Sequence, residues 1–148
     1  MLMTSLTFNP PILDTVTITV IGKAVAKQGS QSRLASSSQG DFIQQYTPKH
    51  VTNWAAYVKL VAASQRREPL WDGPIRVTML VKKLRPKAHK KRVFCHTKPD
   101  LDNIEKNMYD ALQGVIYTND ARIVDKHITK IFSDVEEVIV KLELLQDN

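Results

Sequence analysis

One cysteine, Cys95, stands in the whole chain, so no disulfide can form within it. A lone thiol fits a reducing compartment. No stretch approaches the roughly 20 apolar residues that a membrane helix needs. Met1 to Pro11 lacks the basic start and apolar run of a secretory signal. The expected location is the cytoplasm. The four histidines, His50, His89, His96 and His127, are scattered without metal-ligand spacing. No internal repeat is apparent.

Acidic residues are also in deficit. The 148 residues hold 15 aspartates and glutamates against 21 lysines and arginines, for a net charge of +6. The resulting pI of about 9.5 is the footprint expected of a nucleic-acid-binding protein. Hydrophobic residues make up 43% of the chain, an ordinary globular share. The length suits one compact domain, residues 1–148, large enough for a real core.

Residues 15–21 alternate threonines with valines and isoleucines, which predicts a strand with one buried face. Gly22 ends it. Residues 23–47 are polar and poor in pattern, and read as a long loop carrying Lys23, Lys27 and Arg33. Pro48, with Thr47 as its cap, opens a helix predicted to about residue 65. Trp54, Ala55, Val58, Val61 and Ala62 form its apolar face. Trp54 and Trp71 are expected in the core. A second strand is predicted over 75–81. The stretch 82–98 then holds Lys82, Lys83, Arg85, Lys87, Lys90, Lys91, Arg92 and Lys98, with no acidic residue. It reads either as a solvated charge run or as a surface for phosphates.

A helix is predicted over 101–113, because Leu101, Ile104, Met108, Ala111 and Leu112 repeat at three- and four-residue steps. Gly114 is placed as its left-handed stop. Strands near 122–131 and 135–144 complete the order β-α-β-α-β-β. This is an α/β fold, one mixed sheet with helices packed on it.

The chemistry concentrates at the entrance of the second helix. Asp100 and Asp102 flank Leu101, and Asp102, Lys106 and Asp110 follow at four-residue steps on the polar face. Phosphodiester hydrolysis must bring water to a phosphorus shielded by negative oxygens. Carboxylates holding Mg²⁺ reverse that field and activate the water, and a nearby lysine can offset charge. The same residues also fit a structural reading. Asp102 with Glu105 three residues later is a capping-box pattern, and Asp120 in Thr118-Asn119-Asp120 is a common turn residue. Spacing alone does not bring Asp120 to Asp100.

The run from Lys98-Pro99-Asp100-Leu101-Asp102-Asn103 to Lys106, then Asp110-Ala111-Leu112, then Asn119-Asp120 through Asp125, resembles the RusA-type Holliday junction resolvases. Those enzymes carry D-x-D-N-x-x-K, then D-A-L, then D-D-x-x-V-x-(D/E). The resemblance is strong over residues 98–130. It is weaker over 22–27 and 46–48, where members from phages and prophages are similar. It implies a homodimer that makes paired, Mg²⁺-dependent incisions in four-way DNA junctions during recombination and repair, with Mn²⁺ able to substitute. It also implies that Asp100, Asp102 and Asp120 are the essential metal-binding acids and Lys106 the important lysine. Asn119 departs from the family's usual aspartate, and the polar segment 28–40 is longer than in compact members. Three other readings remain open here: a non-catalytic branched-DNA-binding protein, a metal-dependent nuclease acting on flaps or RNA, and a structural interaction protein whose aspartates only cap a helix.

Overall fold

The computed structural model describes residues 8–27 and 31–148. Residues 1–7 and 28–30, on which part of the N-terminal and long-loop readings fell, lie outside the described residues. The elements are β1 (Ile12–Ile21), β2 (Gln31–Ser37), β3 (Gly40–Tyr46), α1 (Lys49–Ala62), β4 (Ile75–Leu84), α2 (Leu101–Leu112), β5 (Ile123–Ser133) and β6 (Glu137–Leu145). Four strands form one mixed sheet in the order β1-β6-β4-β5. β6 is antiparallel to both β1 and β4, whereas β4 and β5 run parallel. Parallel neighbours need a long crossover, and α2 lies on it.

Alternation builds the core. Val16, Ile18 and Val20 of β1, Ile75, Val77, Met79 and Val81 of β4, and Val138, Val140 and Leu142 of β6 all point to one face. α1 covers that face with Trp54, Val58 and Ala62, and α2 with Ile104, Met108, Ala111 and Leu112. Trp71 is buried in the same cluster, so both tryptophans serve packing. The opposite face is half-buried and polar, crossed by ion pairs Arg76–Asp125 at 2.7 Å and Lys82–Glu137 at 3.0 Å.

The expected long loop over 23–47 is corrected. Its second half is an antiparallel ribbon, β2 with β3, turning at Gly40 with φ +117°. No alternation marked it, because neither face packs into the core and nothing selects apolar residues at every second position. Side chains lace it instead. Arg33 Nε donates to Gln44 Oε1, Gln45 Nε2 to Ser32 Oγ and Ser36 Oγ to Asp41 Oδ1. The element order is therefore β-β-β-α-β-α-β-β.

The helix boundaries differ in one respect. Pro48, not Thr47, is the residue at the N-terminal boundary of α1, and it forms no side-chain cap. The carbonyl of Pro48 takes the amides of Val51 and Thr52. Gly114 stops α2 as expected, with φ +83°.

A cross-link ties the edge of β1 to the turn before β4. Arg67 Nε donates to Asp14 Oδ2 at 2.7 Å, and Trp71 Nε1 donates to the same oxygen at 3.1 Å. The Arg67 hydrogen bond is the main cause that holds the Asp14 carboxyl below its ordinary value of 3.8, against a smaller opposing effect of burial. A depressed carboxyl adds stability above its unfolded value and loses it as pH falls through the folded one. The Asp14 side chain is 39% exposed, so the contribution is no more than about 1 kcal/mol. The stability gap between wild type and Asp14→Asn, measured by urea denaturation, is expected to be full above about pH 5 and to close as the pH falls through the lowered Asp14 value.

Candidate active site

The segment before α2 is held by ammonium groups from the sheet. Lys83 Nζ of β4 donates to the Lys98 carbonyl at 2.6 Å, and Lys130 Nζ of β5 donates to the Pro99 carbonyl at 2.7 Å. Lys130 Nζ also bonds the Thr97 carbonyl. Asp100 follows in extended backbone, φ −69° and ψ 143°, as the residue that opens α2. Its carbonyl accepts the Ile104 amide at 3.2 Å, while its carboxylate caps nothing. Ile104 is fully buried and Leu101 is partly buried against the core, so the helix start is fixed in place.

Asp100, Asp102 and Lys106 are all exposed. Among the described residues none of the three has a side-chain hydrogen bond or ion pair. The capping alternative fails for Glu105 as well. That carboxylate is buried, and it accepts Lys126 Nζ at 2.7 Å and the Tyr109 hydroxyl at 3.2 Å. Burial, with Glu105 beside it, pushes the Tyr109 hydroxyl up.

Asp120 stands elsewhere. It begins a short 3₁₀ turn, Asp120–Arg122. The side chain of Asn119 caps that turn by accepting the Ala121 amide at 2.8 Å, which gives the departure from the usual aspartate a structural role. The Asp120 amide donates to Gln113 Oε1, and its carboxylate is exposed without a partner among the described residues. The Tyr117 hydroxyl, pushed up chiefly by burial, also feels the charges of Asp120 and Asp110. Asp120 therefore belongs to the C-terminal end of α2.

Asp100 and Asp102 belong to the other end. α2 has 12 residues and spans about 18 Å. β5 runs against it, with Lys126 meeting Glu105 at mid-helix and Lys130 meeting Pro99 at the helix start. Among the described residues, no group of three or more His, Cys, Asp or Glu side chains stands close enough to hold a metal ion. The structure thus brings Asp100 and Asp102 to one end of a helix, with Lys106 one turn beyond Asp102 at mid-helix, and leaves Asp120 at the other end.

The basic residues sort into two groups. Lys27 pairs with Asp110 at 2.6 Å, Lys82 with Glu137 and Arg85 with Asp134 at 2.8 Å. Arg33 bonds Gln44 and lies over the Tyr46 ring, Arg92 bonds His96, and Lys83 holds the loop carbonyl. Lys23, Lys87, Lys90, Lys91 and Lys98 are exposed, with no partner among the described residues. The basic stretch is anchored where it meets β5: the Cys95 amide donates to the Lys130 carbonyl, and the Phe132 amide to the Val93 carbonyl. Residues 87–92, before the first of these backbone contacts, form its apex. Cys95 itself is buried.

Sequence reading missed Glu105, Lys126 and Lys130 as positioning residues. Glu105 follows Ile104 on the edge of the apolar stripe, a position where a carboxylate needs a partner. Nothing in the chain pointed to Lys126 or Lys130, because only the parallel register of β5 aims them at α2.

This is an α/β domain with carboxylates at the two ends of one helix that have no partner among the described residues, and with an exposed cationic loop. A family model described as Endodeoxyribonuclease RusA matches residues 24–143. A relative from Bacillus subtilis (strain 168), "Uncharacterized protein YqaN", is 31% identical over 141 residues, covering 88% of this chain and 96% of its own. The chain belongs to the RusA endodeoxyribonuclease family. No helix among the described residues is long and apolar enough to cross a membrane.

The Glu105–Lys126 contact predicts a measurable cost. Lys126→Met leaves a buried carboxylate with only the Tyr109 hydroxyl, and should destabilise by roughly 1–3 kcal/mol, seen as a lower urea midpoint. Adding Glu105→Gln should recover most of the loss.

Proposed function

We propose that the chain is a Mg²⁺-dependent, structure-specific endodeoxyribonuclease. It resolves four-way DNA junctions as a homodimer, by paired incisions, in recombination and repair. One observation carries the reading: three exposed aspartates of the family pattern, without partners among the described residues, lie at opposite ends of α2, and no group of three acids or histidines close enough to share an ion stands among those residues. A second copy related by a two-fold axis, the commonest oligomer symmetry, can set Asp120 of the partner subunit against Asp100 and Asp102. Two identical composite sites then follow, one for each strand to be cut.

The donor set fits a hard divalent cation. Asp100 and Asp102 offer hard oxygens without partners among the described residues, and Mg²⁺ is bound by one or two carboxylates while keeping several waters. When bound, such a cation generates the nucleophile from water and offsets charge on the phosphate. Asp100 and Asp102 would hold it from α2, whose start is pinned by Lys83, Lys130 and Ile104. Lys106 lies one turn beyond Asp102, where its ammonium can orient water or stabilise charge developing on the phosphate oxygens. The exposed Lys87, Lys90, Lys91 and Arg92 draw in the DNA backbone, since phosphate contacts dominate affinity.

The wild-type chain should cut a mobile four-way junction with Mg²⁺ and not with EDTA. Asp102→Asn should lower cutting by at least about 100-fold while junction binding persists. Binding without cutting would leave a non-catalytic junction binder. Preference for flap or RNA substrates would change the substrate class.

The composite site has its own test. Heterodimers of an Asp102→Asn chain with an Asp120→Asn chain keep one intact site if the acids meet across the dimer, and nicking of a single strand should return. If all acids act within one chain, both sites are damaged and the mixture stays inactive.

A further inference from the structure

A cleft of about 580 Å³ opens where residues 23–26, the start of α1 and the segment before α2 converge. Ligand clefts commonly measure about 300–1,000 Å³, so the size fits a small, discrete group. Lys23, His50, Lys83 and Lys98 line it, with no aspartate or glutamate among the lining residues. Lys23 and Lys98 are exposed and have no partner among the described residues. Lys83 commits donors to the Thr97 hydroxyl and the Lys98 carbonyl, so it shapes the wall while adding charge. The rest of the lining includes the rings of Pro48 and Pro99, surfaces suited to a sugar or a base edge.

These features select an occupant. Lysines without acids call for an anion, and the apolar wall calls for something larger than inorganic phosphate. A duplex is too broad for such a cleft, whereas a single unpaired nucleotide fits. The position adds to this, because Pro99 leads directly into Asp100. We propose that this cleft takes the phosphate and sugar of one unpaired nucleotide of the DNA substrate, next to the bond to be cut. The inference rests on the nuclease reading above and adds to it how a branch point is told from plain duplex. A continuous duplex keeps its nucleotides paired and stacked, whereas a strand at a branch can leave its partner and enter.

The test separates binding from cutting. Junctions are made with a neutral methylphosphonate in place of one phosphate, at each position within a few nucleotides of the branch. Their affinity is measured for full-length Asp102→Asn protein and for the same protein carrying Lys23→Gln and Lys98→Gln. At one or two positions the neutral linkage should weaken the first protein roughly tenfold and the second hardly at all, the non-additivity of groups in contact. A control carrying Lys90→Gln and Lys91→Gln should keep the position dependence. Equal losses in both proteins at every position, or no sensitive position, would overturn the cleft. If wild type still cuts junctions in that case, the nuclease reading stands without it. A chain that neither binds nor cuts branched DNA ends both.

Discussion

The packing of α2 against the sheet is the constraint on which the site depends. Ile104, Met108, Ala111 and Leu112 leave no exposed surface on that stripe, so the helix cannot rotate without exposing its apolar face to water. Two ammonium groups of β5 then fix it lengthwise, Lys126 on the Glu105 carboxylate and Lys130 on the Pro99 carbonyl. With rotation and translation both set, Asp100 and Asp102 are held at one end of the element. Asp120 is fixed at the other, through Asn119 and Gln113. The separation of the acids is thus a property of the core.

The electrostatics follow the same division. Lysines and arginines on the sheet and in the segment beside α2 are spent on internal partners, Glu137, Asp134 and Asp110 among them. Those neutralised charges add little long-range attraction. Among the described residues, those without a partner include Lys87, Lys90 and Lys91 on the apex of the β4–α2 connection and Lys23 and Lys98 at the cleft beside Pro99, with Lys49 and Lys59 on α1. Lys98, two residues before Asp100, places positive charge in the segment that leads into the acids, where an approaching phosphate would otherwise meet repulsion.

The β2–β3 ribbon stands apart from this core. Leu34 and Ile43 face each other across it and stay largely exposed. Arg33 and Asp41 are its only charged residues, so it carries no cationic stripe. Arg33 is occupied by Gln44 and Tyr46. The ribbon thus differs in chemistry from the lysine-rich apex, although the polar sequence of both suggested similar loops.

Much of the fold was legible in the chain. Threonine alternating with valine and isoleucine marked β1, because a strand with one buried face repeats every two residues. Leu101 to Leu112 marked α2, because a helix with one buried stripe repeats every three or four. The motif from Asp100 to Asp120 pointed to the family, since the order and spacing of its acids and lysine survive when read as letters. The ribbon was not legible, because no buried face left a period to read. Nor was the distance between the acids. That depends on β5 running parallel to β4 and against α2, a long-range pairing that local composition does not encode. The sequence by itself determined which side chains are available for chemistry. The tertiary structure alone decided that they lie at two ends of one rigid helix, because side-chain period records which face is buried but not which distant strand lies beside it.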